Sequence, residues 1–307
     1  MCFIGVTTTQ SIINKIFPSW MKILNSDMTL ECVDVPMNAD ASIYREQVNR
    51  IKKSDSTLGA LVTTHKIPLH VYTSDLFDEL DDSAQKFKEI GCIYKRQNKL
   101  IGEATDILTV KKAFKNIWTK EKYNDISYVH ACILGCGGAG VALAYELLSS
   151  EYDNINQIIM VDVLKERINN AKKILSPFDK KLKMQFYLSD GMQSNDEIIS
   201  SLPEKAFVVN ATGVGKDIIG SPVSCGVKFP KSGCLWEYNY RGYNGGELEI
   251  LKIAQQQSTN QNLSIYDGFN YFLYGWTTVI SRILNIDIDN HLFDILASDA
   301  LNICEKK

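Results

Sequence analysis

Between Ala131 and Leu148 the chain passes from an apolar run, Ala131-Cys132-Ile133-Leu134, through Gly135-Cys136-Gly137-Gly138-Ala139-Gly140 into a helical stretch that opens Val141-Ala142-Leu143. This is a buried strand, a glycine turn and a helix in the order of a βαβ unit. In the Gly-x-Gly-x-x-Gly spacing, Gly135 permits the tight turn and Gly137 lets backbone amides approach a pyrophosphate. Gly140 lets the helix pack close to the strand. The helix start offers free N–H groups and a positive dipole end. The next strand, Gln157–Asp162, ends in an acid 22 residues after Gly140, where a carboxylate can accept both ribose hydroxyls of adenosine. The glycines alone would suit an ordinary strand-to-helix turn, but strand, spacing, helix and acid agree on a dinucleotide site. Gly135, Gly137, Gly138, Ala139, Gly140 and Asp162 are its expected binding residues. Asp162 favours NAD over NADP, because a carboxylate repels a 2′-phosphate. Lys165 and Arg167 could accommodate that phosphate, or could simply form a solvated first helical turn.

A chain of 307 residues is long for one domain and suits two. With the fingerprint in mid-chain, a Rossmann unit leaves more than about a hundred residues ahead of it for a separate domain. Hydrophobic residues make up 45% and charged residues 22%, enough for two cores. A net charge of -3 and a pI near 5.9 offer no general attraction for nucleic acid. Met1-Cys2-Phe3-Ile4-Gly5-Val6 begins a β-like run without the basic flank or cleavage pattern of a signal peptide. No apolar stretch approaches the roughly 18 residues of a membrane span. The eight cysteines are scattered, and we expect reduced, buried thiols in a cytoplasmic protein that binds no metal.

Ahead of the fingerprint, Cys2–Val6, Leu30–Val35 and Leu58–Thr63 read as strands. Phe17–Leu24, Asp40–Lys53 and Asp75–Lys88 read as helices. Gly91–Tyr94 and Lys99–Gly102 form a hairpin across Lys95–Asn98. Ile107–Trp118 is a helix leading onward. From Val129 the strands Val129–Leu134, Gln157–Asp162, Leu182–Leu188, Ala206–Asn210, Cys234–Trp236 and Leu263–Ile265 follow a doubly wound order. Helices fall at Gly138–Leu148, Leu164–Leu175 and Gly191–Leu202, and two more at Gly268–Leu284 and Asn290–Cys304. The expected architecture is α/β: an N-terminal α/β substrate domain over 1–106, completed by C-terminal helices from about 268 to 307. A Rossmann-type doubly wound parallel sheet with its linker helix occupies 107–267.

Two segments of the first domain carry chemistry. Gly59-Ala60-Leu61-Val62-Thr63-Thr64-His65-Lys66 is an apolar strand running into a hydroxyl-rich end and then a lysine, and Gly102-Glu103-Ala104-Thr105-Asp106 brings an acid to the end of the hairpin. Polar residues at strand ends face the crevice in which α/β domains bind ligands. Lys66 and Asp106 meeting there would form a proton-transfer pair, with burial lowering the lysine pKa toward neutrality. On spacing alone, Asp106 could equally be a helix cap. His65 could act as an auxiliary acid or base, or face away from its neighbour. His70, His130 and His291 are isolated.

Over nearly its whole length the sequence resembles the shikimate dehydrogenase family. Val62-Thr63-Thr64-His65-Lys66 is similar to the family's Val-Thr-x-Pro-x-Lys, one residue shorter and without the proline. Gly102-Glu103-Ala104-Thr105-Asp106 is similar to Gly-x-Asn-Thr-Asp. The resemblance implies that Lys66 and Asp106 are the catalytic pair. It also implies that Asn210-Ala211-Thr212-Gly213, like the family's Asn-Ala-Thr-Pro loop, lies beside the nicotinamide. Asp267-Gly268 resembles the pair preceding the helix that returns to the substrate domain. Tyr238 or Tyr240 matches a tyrosine near substrate and cofactor.

Departures fall on the substrate side. Ser11 matches the first of two serines that contact the shikimate carboxylate, while Ile13 stands at the second. Tyr94 and Ala104 replace asparagines, and Gly275 replaces a glutamine. Thr7-Thr8-Thr9-Gln10-Ser11 could build a different anion contact. Tyr271, Tyr274 and Trp276 face the substrate or pack helices. Substrate contacts are expected at Ser11, Thr63, Tyr94, Tyr238 and Tyr271. Because each unpaired hydrogen-bonding group costs about 1–3 kcal/mol, these changes imply a different substrate preference. The resemblance thus implies an NAD(P)-dependent oxidoreductase, monomeric or homodimeric, that interconverts a hydroxyl and a carbonyl on a small cyclic hydroxy acid. The alternatives are an authentic shikimate or quinate dehydrogenase and a dinucleotide-binding protein without redox chemistry.

Overall fold

The computed structural model describes residues 1–118, 129–152, 154–179, 183–216, 218–241 and 248–305. Backbone contacts divide the chain into two units, one of Met1–Asp106 with Leu273 onward, the other of Ile107–Tyr240 with the segment ending at Phe272.

In the first unit, β1 (Cys2–Gly5) pairs in parallel with β2 (Glu31–Asp34) and β3 (Gly59–Val62). β3 is flanked on its other side by the antiparallel hairpin β5 (Cys92–Arg96) and β6 (Lys99–Glu103). The hairpin turn is two residues, Gln97 and Asn98, both at positive φ as a tight right-twisted hairpin requires, so the strands run further than the sequence suggests. The helices α1 (Ile13–Ile23) and α2 (Ala41–Lys53) follow the apolar period of 3.6. On α2, Tyr44, Val48 and Ile51 are one turn apart and enter the core with Ile4, Ala60, Val62 and Ile93.

One expectation in this unit is overturned. The continuous helix over 75–88 is instead the edge strand β4 (Glu79–Leu80) and the short helix α4 (Asp82–Phe87). Asp78 exchanges bonds with Leu100, its amide donating to the carbonyl at 3.0 Å and its carboxylate accepting the amide at 2.8 Å. That ties the segment to β6, and Asp81 then caps α4 by accepting the Ala84 amide at 2.8 Å. Lys66, placed after the strand end, begins the eight-residue helix α3 (Lys66–Thr73), which the sequence reading did not mark. Pro68 sits in the first turn of α3, where the missing N–H is no loss.

In the second unit the linker helix α5 (Asp106–Ile117) leads to a six-stranded, wholly parallel sheet. Its strands are β7 (Val129–Leu134), β8 (Ile155–Asp162), β9 (Met184–Leu188), β10 (Phe207–Asn210), β11 (Cys234–Glu237) and β12 (Ser264–Tyr266). Leu182, the expected start of the third strand, lies outside the described residues. The spatial order β12-β11-β10-β7-β8-β9 is that of a doubly wound fold, with its switch point between β7 and β10. Crossover helices are α6 (Gly138–Leu147), α7 (Lys165–Leu175), α8 (Met192–Ser200) and α9 (Glu249–Gln261), the last not marked by the sequence reading. The terminal helices are α10 (Phe269–Leu284) and α11 (Asn290–Glu305), and the division between the units falls within α10. In the first unit Trp20 of α1 donates its indole N–H to Leu296 of α11 at 2.9 Å. Among the described residues no helix is long and apolar enough to cross a membrane.

The glycine turn shows why two of its glycines are required. Gly135 has φ +106°, and a Cβ on Gly140 would stand 2.0 Å from the Gly135 carbonyl oxygen. Backbone must therefore move to admit any side chain at 140. Gly140→Ala is expected to cost about 1–3 kcal/mol in urea or thermal unfolding, and an unchanged midpoint would show that the turn tolerates the methyl group.

Candidate active site

In the first unit the functional groups gather where β3 and β6 end. The chain leaves β3 at Val62 and turns so that the Lys66 amide donates to the Thr63 carbonyl at 3.2 Å. The Lys66 ammonium donates to both carboxylate oxygens of Asp106, the first residue of α5. The lysine side chain is 20% exposed and that of Asp106 7%, so the pair is largely shielded while the lysine keeps a route to solvent. Behind it runs Glu89-Ile90-Gly91. The Ile90 amide donates to the Lys66 carbonyl at 3.1 Å, and a Cβ on Gly91 would lie 3.7 Å from Lys66 Cδ. Glu89 is buried, and its Oε2 has no hydrogen-bond partner among the described residues.

The charge state of Lys66 differs from expectation. Burial pulls its pKa down, but the Asp106 and Glu89 carboxyl groups outweigh burial and hold it above the ordinary lysine value. Lys66 is therefore an ammonium near neutral pH. His65 is turned away into the core, with Nδ1 2.9 Å from the Tyr44 hydroxyl and Nε2 2.8 Å from the Val35 carbonyl, so it braces the loop.

The N-terminal hydroxyl cluster is also different from expectation. Asp34 accepts the amide and hydroxyl of Thr8 and, at 3.2 Å, the hydroxyl of Thr9. Burial pushes Asp34 up, but these donors hold its carboxyl below the usual range. Thr8 and Thr9 thus serve a carboxylate of the protein rather than a bound anion. Ser11 follows this turn half-buried, and Thr63 packs its Oγ1 where a Cβ on Gly5 would come within 2.6 Å. Tyr94 lies elsewhere: with Arg96, Glu103 and Arg282 it lines a polar hollow of about 480 Å³ in which neither Lys66 nor Asp106 takes part. Tyr274 stacks on Phe293 at 4.1 Å and Trp276 meets Phe3 edge-on at 4.8 Å, so both pack helices.

In the second unit the groups gather at the switch point. A Cβ on Gly135 would approach the Ala211 carbonyl oxygen to 2.7 Å, so the glycine turn and the Asn210–Gly213 loop lie against each other. Gly137 is open, with nothing within 4 Å of an added Cβ. Asp162 is buried at the end of β8 and accepts the amides of Cys136 at 2.8 Å and Leu164 at 2.9 Å, with Arg167 4.0 Å away. Val163, Leu164, Leu188 and Met192 leave an exposed apolar lip beside it. Tyr238 stacks on Tyr271 at 4.3 Å and meets Trp236 at 4.4 Å, which joins both tyrosines to an aromatic cluster. Tyr240 instead packs on Phe269.

The sequence reading missed Glu237, which is fully buried at the end of β11. It accepts Asn210 Nδ2 at 2.6 Å and the amide and Nδ2 of Asn239 at 2.6 and 2.8 Å. Asn210 Oδ1 in turn accepts the Thr212 amide and hydroxyl. Only its place after a late strand could have drawn attention to Glu237. Burial pushes its pKa up to about 8 against the donors that favour the charge. The folded state then binds the Glu237 proton more tightly than the unfolded state, so this contribution to stability is lost as pH rises from about 4.5 to about 8. Thermal unfolding of Glu237→Gln should improve relative to the parent across that window, and a constant difference would contradict the assignment.

No family model matches the chain. Shikimate dehydrogenase (NADP(+)) of Streptococcus gordonii is 24% identical over 197 residues, 64% of this chain and 62% of that protein. The enzyme of that name from Methanosphaera stadtmanae is 24% identical over 239 residues, 77% of this chain and 75% of its own. The chain thus spans about 62% of the length of the Streptococcus relative that it matches. A crystal structure of a shikimate dehydrogenase in complex with NADP+ superposes with a TM-score of 0.71 at 19% identity, covering 99% of this chain and 95% of the other. These relatives do not support the expected preference for NAD, since the names of the enzymes and the bound dinucleotide are those of NADP. In sequence and in fold, the chain is similar to these shikimate dehydrogenases.

Proposed function

We propose that the chain is an NAD(P)-dependent oxidoreductase that interconverts a hydroxyl and a carbonyl on a small cyclic hydroxy acid. The observation that carries this reading is the Lys66–Asp106 pair, an ammonium held by a carboxylate with part of the lysine open to solvent. When bound, the nicotinamide supplies hydride to the carbonyl carbon or accepts it from the alcohol carbon. The second unit fits such a group. Free amides at the head of α6 and the open face of Gly137 suit a pyrophosphate, and the exposed apolar lip suits an adenine. Asn210, Ala211, Thr212 and Gly213 would flank the nicotinamide, stiffened from beneath by Glu237.

Lys66 acts as the general acid in reduction. Its N–H proton passes to the substrate oxygen as that oxygen gains negative charge, leaving a neutral amine beside Asp106. The exposed part of the side chain regains a proton from water. In oxidation the neutral amine takes the hydroxyl proton, and in both directions Asp106 fixes the nitrogen. Retention of this charged pair argues against a binding protein without redox chemistry.

Asp162 is committed to two backbone amides, so its negative charge is partly spent, and the half-exposed Arg167 beside it can meet a 2′-phosphate. This supports acceptance of NADP. On the substrate side we assign Ser11 and Thr63. Ile13, Tyr94, Ala104 and Gly275, together with Asp34 across Thr8 and Thr9, support a preference shifted away from shikimate. Eight free cysteines, most of them buried, support a cytoplasmic location.

Lys66→Ala should lower turnover of shikimate, quinate or a related hydroxy acid by about 10²–10⁴ while NADP and NAD titrations stay unchanged. Equal loss of dinucleotide affinity would make Lys66 a structural residue, and no turnover of any cyclic hydroxy acid by the parent would overturn the reading.

A further inference from the structure

The proton-transfer pair has a third ionisable neighbour that the mechanism above does not use. Glu89 precedes β5 in the segment that backs Lys66, is 1% exposed, and keeps Oε2 buried without a hydrogen-bond donor among the described residues. A buried carboxyl without such a donor is costly if charged and serves no packing purpose that an apolar residue would not serve better. Its neighbour Ile90 donates its amide to the Lys66 carbonyl at 3.1 Å, and the charges acting on Glu89 are those of Lys66 and Asp106. Of the other ionisable groups around it, His70 is lowered by burial and then by Lys88, and Glu103 is held by a two-point contact to Arg282.

We infer that Glu89 is a positioning residue for the Lys66 ammonium, a second carboxyl whose own charge state sets how firmly Lys66 keeps its proton. This rests on the reading of Lys66 as the proton donor. Burial, with Asp106 adding to it and Lys66 opposing, pushes Glu89 up to about 8. Below that pH Glu89 is a neutral acid and the group as a whole, Lys66 positive and Asp106 negative, carries no net charge. Above it, Glu89 becomes a carboxylate and adds its pull to that of Asp106. Lys66 then becomes a weaker acid just as solution protons become scarce. Reduction, which consumes the Lys66 proton, is restrained at high pH by a group that never touches the substrate.

The test needs no substrate, so its failure is separable from failure of the functional reading. In the full chain, an infrared pH titration should reveal carboxylic-acid C=O absorption of both Glu89 and Glu237 that disappears near pH 8, and the Glu89→Gln spectrum should lack one of the two components. In parallel, the pH dependence of Lys66 acetylation by acetic anhydride, read by mass spectrometry, reports its fraction of free amine. Parent and Glu89→Gln should agree below about pH 8. At higher pH the variant should label severalfold faster, up to about tenfold if removing the carboxylate lowers the Lys66 pKa by one unit. Glu89→Leu repeats both comparisons should the glutamine variant fold poorly, and Glu237→Gln identifies the other band expected near pH 8. Superimposable labelling profiles, or no protonated carboxyl assignable to Glu89, would overturn the inference. Loss of shikimate or quinate turnover would not bear on it.

Discussion

An ammonium at the head of a helix sits against the positive end of the helix dipole and, when shielded from water, cannot remain charged without a close counterion. Lys66 is in that position at the start of α3, and Asp106 meets it from the start of α5, where the dipole favours a carboxylate. Much of the first unit serves that meeting. β3 delivers Thr63 and the turn to α3, and the hairpin β5–β6 carries the chain back past Gly91 to Asp106. His65, buried between Tyr44 and Val35, holds the turn in place. In the proposed reaction the pair is also the chemistry, because a charged lysine fixed by a carboxylate can give a proton to an oxygen that is gaining charge.

The second unit depends on close approach rather than charge. Gly140 lies against Gly135, and Gly135 lies against Ala211, so α6, the glycine turn and the loop after β10 are packed backbone to backbone. Side-chain hydrogen bonds then set the loop, running from Glu237 through Asn210 to Thr212. Rigid backbone around a glycine with open space in front of it is what a phosphate-binding turn requires, and the same geometry makes Asp162 a brace for the turn through Cys136.

The sequence made the second sheet legible because each parallel strand is a buried apolar run, punctuated by turn residues and separated by helical spacing. The glycine turn was legible for the same reason. Lys66 and Asp106 could be identified as residues through the family resemblance, but the protonation state of Lys66 could not. It follows from Asp106 and Glu89 together outweighing burial, and Glu89 sits in an unremarkable stretch before Gly91 that becomes important only through the fold. The segment 75–88 misled because its acids and apolar residues suit a helix, whereas Asp78 and Asp81 spend their side chains on Leu100 and Ala84. Thr8 and Thr9 read as an open hydroxyl cluster because Asp34, which fills it, comes from a different strand. Tyr94 aligned with a family position but belongs to the hollow beside Arg96 and Arg282. In each case a long-range partner decided the outcome.

The central claim is that Lys66 and Asp106 act as one proton-transfer unit, and a double-mutant cycle tests it most directly. Turnover of shikimate or quinate with NADP would be compared among the parent, Lys66→Met, Asp106→Asn and the double variant. The account predicts that Lys66→Met alone costs about 10²–10⁴ in turnover and that the double variant is no slower than the slower single variant. Losses that multiply, each substitution taking its full toll in the presence of the other, would show two independent residues and contradict the account.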